Sequence, residues 1–532
     1  MEETFKVLVS DKLGEAGIKI FEDEPGIEVD VHTDLTPEEL LEEIQPYHAL
    51  VIRSATKVTA ELLDAAENLR VVGRAGIGLD NVDIPAATQK GVVVMNTPTG
   101  NTVTTAEHAI AMMMALSRKI PQGTASLREG RWEKKKLQGR ELMGKTLGLL
   151  GFGKIGSIVA DRARGLKMRV IVYDPAVNPE RIEKAGFESV ATPEDLYRQA
   201  DYITVHVPKI KKTIGMLNKE AFALMKDGVM IINCARGGII EEADLCEALE
   251  SGKIGGAALD VFATEPPGEC KLLSFDNLIC TPHLGASTKE AQTNVAVDVA
   301  NQIIAYLKDS TVINAVNAPS VTGEKLTKLK PFLELAERIG RLQAQIIQGK
   351  LKEVAVEYNG DYYGLELEPV TTALLNGLLD PLVTDTVNAV NAPAIAQEMG
   401  IRVSETSSAE PFDFVNLMTV RVTTTEETQT VAGTILGKIY PRIVRINSFR
   451  MDMSPYDALL LILTANKPGD IGTIGAVLGE ENINIFRMMM GQEEEPGDTN
   501  LIMVRTEEPV PDTVVDKLRN QELILSVKQV IF

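Results

Sequence analysis

Four cysteines in 532 residues, Cys234, Cys246, Cys270 and Cys280, cannot staple a fold of this size, and their spacing matches no zinc motif. The expectation is buried, reduced thiols in a reducing cytosol, with no metal site. Tryptophan occurs once and histidine five times, so imidazole chemistry has few places to sit. Basic residues are outnumbered, 54 against 75 acidic. The resulting net charge of −21 excludes nucleic acid as a general partner, because a phosphate backbone demands a basic face. No apolar run approaches the roughly 18 uncharged residues of a membrane span. The longest, Ala106 to Leu116, is interrupted by Glu107 and His108. Met1 to Ser10 reads as a strand rather than a secretory signal, which also points to the cytoplasm.

What the chain does have is strand–helix alternation. Its length excludes a single core and implies three or four domains. Lys6–Val9, Ile27–Val31, Ala49–Ile52, Arg70–Val72 and Val92–Asn96 are strand-like, with amphipathic helix patterns at Pro37–Ile44 and Ala60–Ala66. A helix over Thr104–Arg118 leads into a basic, Trp-bearing arm, Leu127–Arg140. A second alternating region follows, and a long helix, Lys289–Leu307, can carry the chain back to the first. Helix Leu326–Ile347 and several β-rich segments come next. The last 75 or so residues read β-α-β-β-α-β, with an acidic turn after Met490, a ferredoxin-like order. Two heptapeptides, 313–319 and 387–393, nearly repeat as Asn-Ala-Val-Asn-Ala-Pro and are read as helix-terminating turns. The expected fold is α/β. Two doubly wound parallel-sheet domains, 1–98 with 286–316 and then 99–285, precede an α+β domain, 317–452, and a small ferredoxin-like domain, 453–532.

The second region carries the chemistry. After the apolar run Thr146–Leu150 comes Gly151-Phe152-Gly153-Lys154-Ile155-Gly156, then a helix pattern, then strand Arg169–Tyr173 ending in Asp174. A lone GxGxxG is weak, but this strand–turn–helix–strand–acid context is a dinucleotide fingerprint. Gly151 permits the tight turn, Gly153 lets backbone approach a pyrophosphate, and Gly156 lets helix and strand pack. Asp174 would accept from ribose hydroxyls, and no arginine follows immediately to meet a 2′-phosphate, so NAD is expected over NADP. The alternative for Asp174 is a strand-end cap.

Hydride transfer to nicotinamide needs a base for the substrate hydroxyl, a group to orient that base, and a cation for a carboxylate. His283 lies in a Thr-Pro-His-Leu-Gly turn after a short strand, Glu265 in a loop beginning at Asp260, and Arg236 in Cys234-Ala235-Arg236-Gly237-Gly238. Each alone reads equally well as a capped turn, an exposed acid or a structural arginine. Three such loops in one nucleotide-binding unit point to a site. Of the other histidines, His32 and His48 read as surface residues, His108 as a satisfied core histidine on an apolar helix, and His206 as a strand-end residue able to line a cofactor site.

At these residues the chain closely resembles the D-isomer-specific 2-hydroxyacid dehydrogenases, and the likeness extends to Arg74–Asp83 and Asn96-Thr97-Pro98. It covers about residues 4–315. The resemblance implies His283 as acid/base, Glu265 as its partner and Arg236 as substrate anchor. It places Lys154, Ile155, Asp174, Val207, Cys234, Ala235, Asp260, Leu284, Gly285 and Ala286 around NAD. Ile77 stands where some relatives have Thr, so a hydroxyl contact is missing there, beside Gly76. A small phosphorylated 2-hydroxy acid needs cations despite the overall acidity. Arg53, Ser54 and Arg74 at strand ends are candidates, as is Lys134 in the arm, which the resemblance puts at the interface of a homo-oligomer, a dimer or tetramer. Residues 317–452 are similar to the intervening domain of the long members, and 459–532 to an ACT domain, which implies an amino-acid effector. Asn466 and Asn484 match effector ligands, whereas Thr464 stands where serine-sensitive members have His. The alternatives are a reductase of glyoxylate, hydroxypyruvate or 2-oxoglutarate on the same scaffold, and an NAD(H)-sensing binding protein. The intact Arg236, Glu265 and His283 weigh against the last.

Overall fold

The computed structural model describes residues 4–319, 324–383, 386–410, 413–491, 493 and 497–532. Part of the acidic turn after Met490 lies outside them.

Strands β1 (Phe5–Val9), β2 (Ile27–Val31), β3 (Ala49–Ile52), β4 (Val71–Arg74) and β5 (Val93–Asn96) form a parallel sheet in the order β2-β1-β3-β4-β5. Helices cover both faces, so the central strands are apolar throughout: Val71, Val72, Val93, Val94 and Met95 are fully buried. The second sheet comprises β6 (Thr146–Leu150), β7 (Arg169–Tyr173), β8 (Glu188–Ser189), β9 (Tyr202–Val205), β10 (Val229–Asn233), β11 (Ile254–Leu259) and β12 (Leu278–Cys280). Its order is β12-β11-β10-β9-β6-β7-β8, again parallel, with the chain direction switching sides between β6 and β9. That crevice is where doubly wound folds bind ligands.

Helix Thr102–Arg118 lays Ala106, Ala109, Met112 and Met113 onto the second sheet. It begins two residues before the expected start. A further helix, Ile120–Arg128, was not foreseen; Lys119 in the left-handed region turns the chain and Pro121 opens the new helix. Helix Lys289–Asp309, capped by the Thr288 hydroxyl, returns to the first sheet, with Val299 and Ile303 packed over Gly73.

The third sheet runs β14 (Arg402–Ser408), β13 (Leu351–Gly360), β15 (Asn416–Thr424), β16 (Thr428–Leu436), β17 (Tyr440–Ile446), β18 (Phe449–Met453); only β13 and β14 are parallel. Helices Glu324–Ile346 and Glu368–Leu379 pack over it. The fourth sheet, β20 (Ile485–Met490), β21 (Thr499–Thr506), β19 (Ala458–Ala465), β22 (Ile524–Ile531), is antiparallel and has the ferredoxin-like connection. Leu459, Leu461, Met503 and Val530 join the core under the third sheet, so these two sheets share one apolar interior.

The heptapeptides do not terminate helices. Residues 313–319 run beside β5, with Val316 N–H donating to Val94 O at 2.9 Å. The segment 387–393 leads into helix Ala392–Glu398, and the Asn391 side chain folds back to accept from Asn388 N–H and donate to Thr386 O. The thiol expectation also needs correction: Cys234 and Cys246 are buried, Cys270 is intermediate and Cys280 exposed. Among the described residues no helix is long and apolar enough to cross a membrane.

Gly17 shows how tightly the returning helix is seated. A Cβ there would stand 2.6 Å from the Ala296 carbonyl oxygen, which is backbone and cannot swing away. Gly17→Val should therefore destabilise the first sheet by about 1–3 kcal/mol through overpacking. A lowered urea midpoint is the expected reading; an unchanged one would show that the helix contact yields.

Candidate active site

The site is assembled at the C-terminal ends of parallel strands. Beyond β6, Gly151 adopts φ +95, and a Cβ there would lie 2.5 Å from His206 O and 3.0 Å from Val207. A Cβ on Gly156 would meet Gly151 O at 2.1 Å. Around a Cβ on Gly153 there is nothing within 4 Å. The outer two glycines are thus demanded by packing, and the middle one opens onto free space at the start of helix Lys154–Gly165. That is the cradle a pyrophosphate needs, with N–H donors and the positive helix end facing it. Asp174 does cap: its Oδ2 accepts from Phe152 N–H at 2.7 Å and Oδ1 from Ala176 N–H at 2.8 Å. Each oxygen keeps a lone pair for a ribose hydroxyl, so both readings of this residue are compatible.

Strands β10, β11 and β12 present Arg236, Glu265 and His283 on neighbouring loops. The first two loops touch so closely that a Cβ on Gly237 would overlap the Phe262 carbonyl. Asn233 shapes the first, accepting from Ala235 N–H at 3.0 Å and donating to Arg236 O at 2.9 Å. Glu265 accepts from Phe262 N–H through Oε1 at 3.1 Å and lies 2.7 Å from His283 Nδ1 through Oε2. His283, at φ +55, is half exposed. With Nδ1 donating to Glu265, Nε2 is left as the free acceptor.

The His283 turn rests on Asp260. This carboxylate, 1% exposed, accepts from Thr281 Oγ1 at 2.6 Å, Leu284 N–H at 2.7 Å and Gly285 N–H at 2.8 Å. His108 Nε2, from helix Thr102–Arg118, lies 3.2 Å from it and 3.1 Å from Thr281 Oγ1. Burial raises the Asp260 pKa, but the hydrogen bonds from His108, Thr281 and Leu284 outweigh it and leave it below the usual carboxylate value. His108 is thus satisfied, as expected, and also ties that helix to the turn. His206 bonds Thr204 at 2.9 Å, and burial draws its pKa down to about 4, so it is neutral at pH 7. Cys234 beside the site is buried and its thiol pKa is pushed up, mainly by burial, which makes it inert.

The first sheet contributes cations. Arg74, at the end of β4, donates through Nε to Arg53 O at 3.0 Å and Asn81 Oδ1 at 3.2 Å. Burial, then the neighbouring charge of Arg236, draws its pKa down to about 10, partly countered by Asp80. It stays protonated at neutral pH. Arg236 crosses from the second sheet to place Nε 3.0 Å from Asp80 Oδ2, with its guanidinium against Gly78, while Arg74 lies against Gly76. Asp11 anchors the Arg53–Ser54 loop by accepting from the N–H groups of Arg53, Ala55 and Thr56. Arg53 adds a smaller repulsion on Arg74, and its own Nη1 donates to Lys12 O at 3.2 Å. Lys134 is not brought to these arginines: it is exposed in the arm, where Glu133 pairs with Arg131 and Lys136. Asn466 and Asn484 lie far along the chain on the fourth sheet, apart from this cleft.

Sequence reasoning did not single out Asp11, Asp80, Asn81 or Asn233. Asp11 and Asn233 carried a signal in their position, polar residues at or just past the ends of apolar strands, whereas Asp80 and Asn81 lie in the loop well beyond β4.

Residues 110–285 match the family model described as D-isomer specific 2-hydroxyacid dehydrogenase, NAD binding domain. Residues 328–447 match the D-3-phosphoglycerate dehydrogenase intervening domain. Solved structures similar to this chain include a glyoxylate reductase from Paecilomyes thermophila, with TM-score 0.55 and 28% identity over 59% of this chain and 99% of that one. The D-lactate dehydrogenase of Escherichia coli gives TM-score 0.53 and 28% identity over 59% and 100%. Parallel sheets, glycine turn and family match together define an NAD-binding D-2-hydroxyacid dehydrogenase. Among curated proteins, the D-3-phosphoglycerate dehydrogenase of Bacillus subtilis is 44% identical over 524 residues, 98% of this chain and 99% of that protein. The same enzyme of Archaeoglobus fulgidus is 42% identical over 527 residues, 99% of each. The chain belongs to the D-3-phosphoglycerate dehydrogenase family.

The Asp260 network makes a pH-dependent prediction. A depressed carboxylate pKa adds stability that is complete above the unfolded value of about 4 and fades as pH falls through the lower folded value. Asp260→Asn should cost about 1–3 kcal/mol at neutral pH by leaving donors unmatched. The gap from wild type should close as pH falls below about 4. A pH-independent gap in the urea midpoints would contradict this assignment.

Proposed function

We propose that the chain oxidises D-3-phosphoglycerate to 3-phosphohydroxypyruvate with NAD, the first step towards serine. The observation that carries this reading is the His283–Glu265 pair, with Nε2 free, on a cleft that also gathers Arg236, Arg74 and Arg53. Arg236 holds the substrate carboxylate and 2-oxygen, exchanging Asp80 for them. Arg74 and Arg53, with Ser54 and the backbone at Gly76 and Ile77, receive the phosphate. His283 Nε2 takes the C2 hydroxyl proton as the C2–O bond becomes a carbonyl, and Glu265 keeps the ring oriented and balances the imidazolium. NAD, when bound, supplies the acceptor for the hydride leaving C2. Gly151, Gly153, Lys154, Ile155 and Gly156 would hold its pyrophosphate and Asp174 its ribose. Val207, Cys234, Ala235, Asp260 and Leu284 to Ala286 would line the rest of its path.

In this reading the chain divides at the limits given above and works in the cytosol as a homo-oligomer. Ile120, Leu127, Trp132 and Met143 are large, apolar and exposed around the arm, which supports a face for a second copy carrying Lys134 to the partner's cleft. The fourth sheet is an ACT-type module for an amino-acid effector near Asn466 and Asn484. Thr464 is buried with its hydroxyl given to Asp470, which argues against serine as that effector.

The test is NADH oxidation by phosphohydroxypyruvate. His283→Ala should lower kcat by about a hundredfold or more while leaving NADH binding, read by fluorescence, unchanged. Near-normal turnover in the variant would refute the role of His283.

A further inference from the structure

Helices Glu368–Leu379 and Ala392–Glu398 border, with the β13–β14 edge of the third sheet, a solvent-open pocket of about 520 Å³. This is within the size range of small-molecule sites. Its charged lining is balanced: Lys352 on β13, Arg402 and Glu405 both on β14, and Glu368 at the start of helix Glu368–Leu379. These four do not neutralise one another. Among the described residues Lys352, Glu368 and Glu405 form no ion pair or side-chain hydrogen bond, and Arg402 reaches only Glu353, at 3.9 Å. Leu375 and Ile401 provide an apolar floor. A dianion such as the substrate would meet two carboxylates here, and a simple cation would meet Lys352 and Arg402. A zwitterion satisfies both signs.

The cavity is also mechanically joined to the substrate cleft. Helix Ala392–Glu398, which lines it through Ala396 and Gln397, begins at the second Asn-Ala-Val-Asn-Ala-Pro turn. Asn388 of that turn donates to Gly91 O at 2.8 Å, and Val390 is buried in the core of the first sheet. Gly91, at φ +70, approaches so closely that a Cβ would stand 2.4 Å from the Asn388 amide. The first heptapeptide grips the same turn: Asn317 donates to Val92 O at 2.9 Å and accepts from Val94 N–H at 2.8 Å. This turn feeds β5, whose last residue, Asn96, donates to Ile77 O at 2.6 Å in the loop facing Arg236.

We propose that this cavity is a second effector site, taking an aliphatic L-amino acid, and that the Asn388–Gly91 contact carries its occupancy to the Ile77 loop. Binding that stiffens or shifts helix Ala392–Glu398 changes the strain on Gly91, and β5 delivers the change to the substrate side.

The experiment screens the common L-amino acids individually, at millimolar concentration, against the full-length protein. Readouts are Tm, which needs no activity, and KM for the phosphorylated substrate. At least one aliphatic amino acid should raise Tm and change KM about fivefold or more. Arg402→Glu and Glu405→Lys, both on exposed side chains, should abolish the Tm shift, whereas Asn484→Ala on the fourth sheet should preserve it. Asn388→Asp keeps the acceptor that bonds Val390 and Asn391 N–H but deletes the donor to Gly91. It should keep the Tm shift and lose the KM effect. No Tm shift with any amino acid, or a shift lost in Asn484→Ala but kept in Arg402→Glu, overturns the site. An undiminished KM effect in Asn388→Asp overturns the coupling.

Discussion

A carboxylate removed from water has to be surrounded by donors, and the way Asp260 meets that demand shapes the active site. Its donors come from the Thr281 hydroxyl, the backbone of Leu284 and Gly285, and the His108 side of a helix that begins outside the strand series. Satisfying one buried charge thereby fixes the turn that carries His283 in a left-handed conformation, and fastens helix Thr102–Arg118 to the end of β12. The His283 side chain is left half exposed, its ring bonded at Nδ1 alone. That combination, a rigid support with one free nitrogen, suits the role of base proposed for His283.

The cleft's opposite wall obeys a repulsive constraint. Arg236 and, less strongly, Arg53 bear on Arg74, whose pKa is depressed by burial first and by the charge of Arg236 second. Asp80 and the carbonyl of Arg53 offset part of the cost. In the proposed reading, a ligand with a carboxylate and a phosphate relieves the repulsion more completely. The net charge of −21 makes this local concentration more informative, because background composition does not produce it.

The sequence made the two parallel sheets legible because strands buried on both faces leave unbroken runs, as in Val71–Val72 and Leu147–Leu150. Gly151, Gly156, His283 and Glu265 were legible because local turn geometry dictates their spacing. The helix Ile120–Arg128 was hidden by Pro121, Gly123 and an almost wholly solvent-facing surface, on which only Ser126 is buried. Asp80 against Arg236, Asn388 against Gly91 and Asn317 against Val92 were hidden for another reason. Each joins residues far apart in the chain, and nothing in the local pattern marks which polar group at a strand end will find a distant partner. The two heptapeptides were visible as a repeat, but their convergence on one turn is a property of the folded chain.

The central claim is that the guanidinium cluster selects a phosphorylated 2-hydroxy acid. It is tested most directly by comparing kcat/KM for D-3-phosphoglycerate with that for unphosphorylated D-glycerate, using NAD and the wild-type protein. Two charge-assisted contacts from Arg53 and Arg74 predict a preference of about a hundredfold or more for the phosphorylated acid. Equal values for the two would contradict the account.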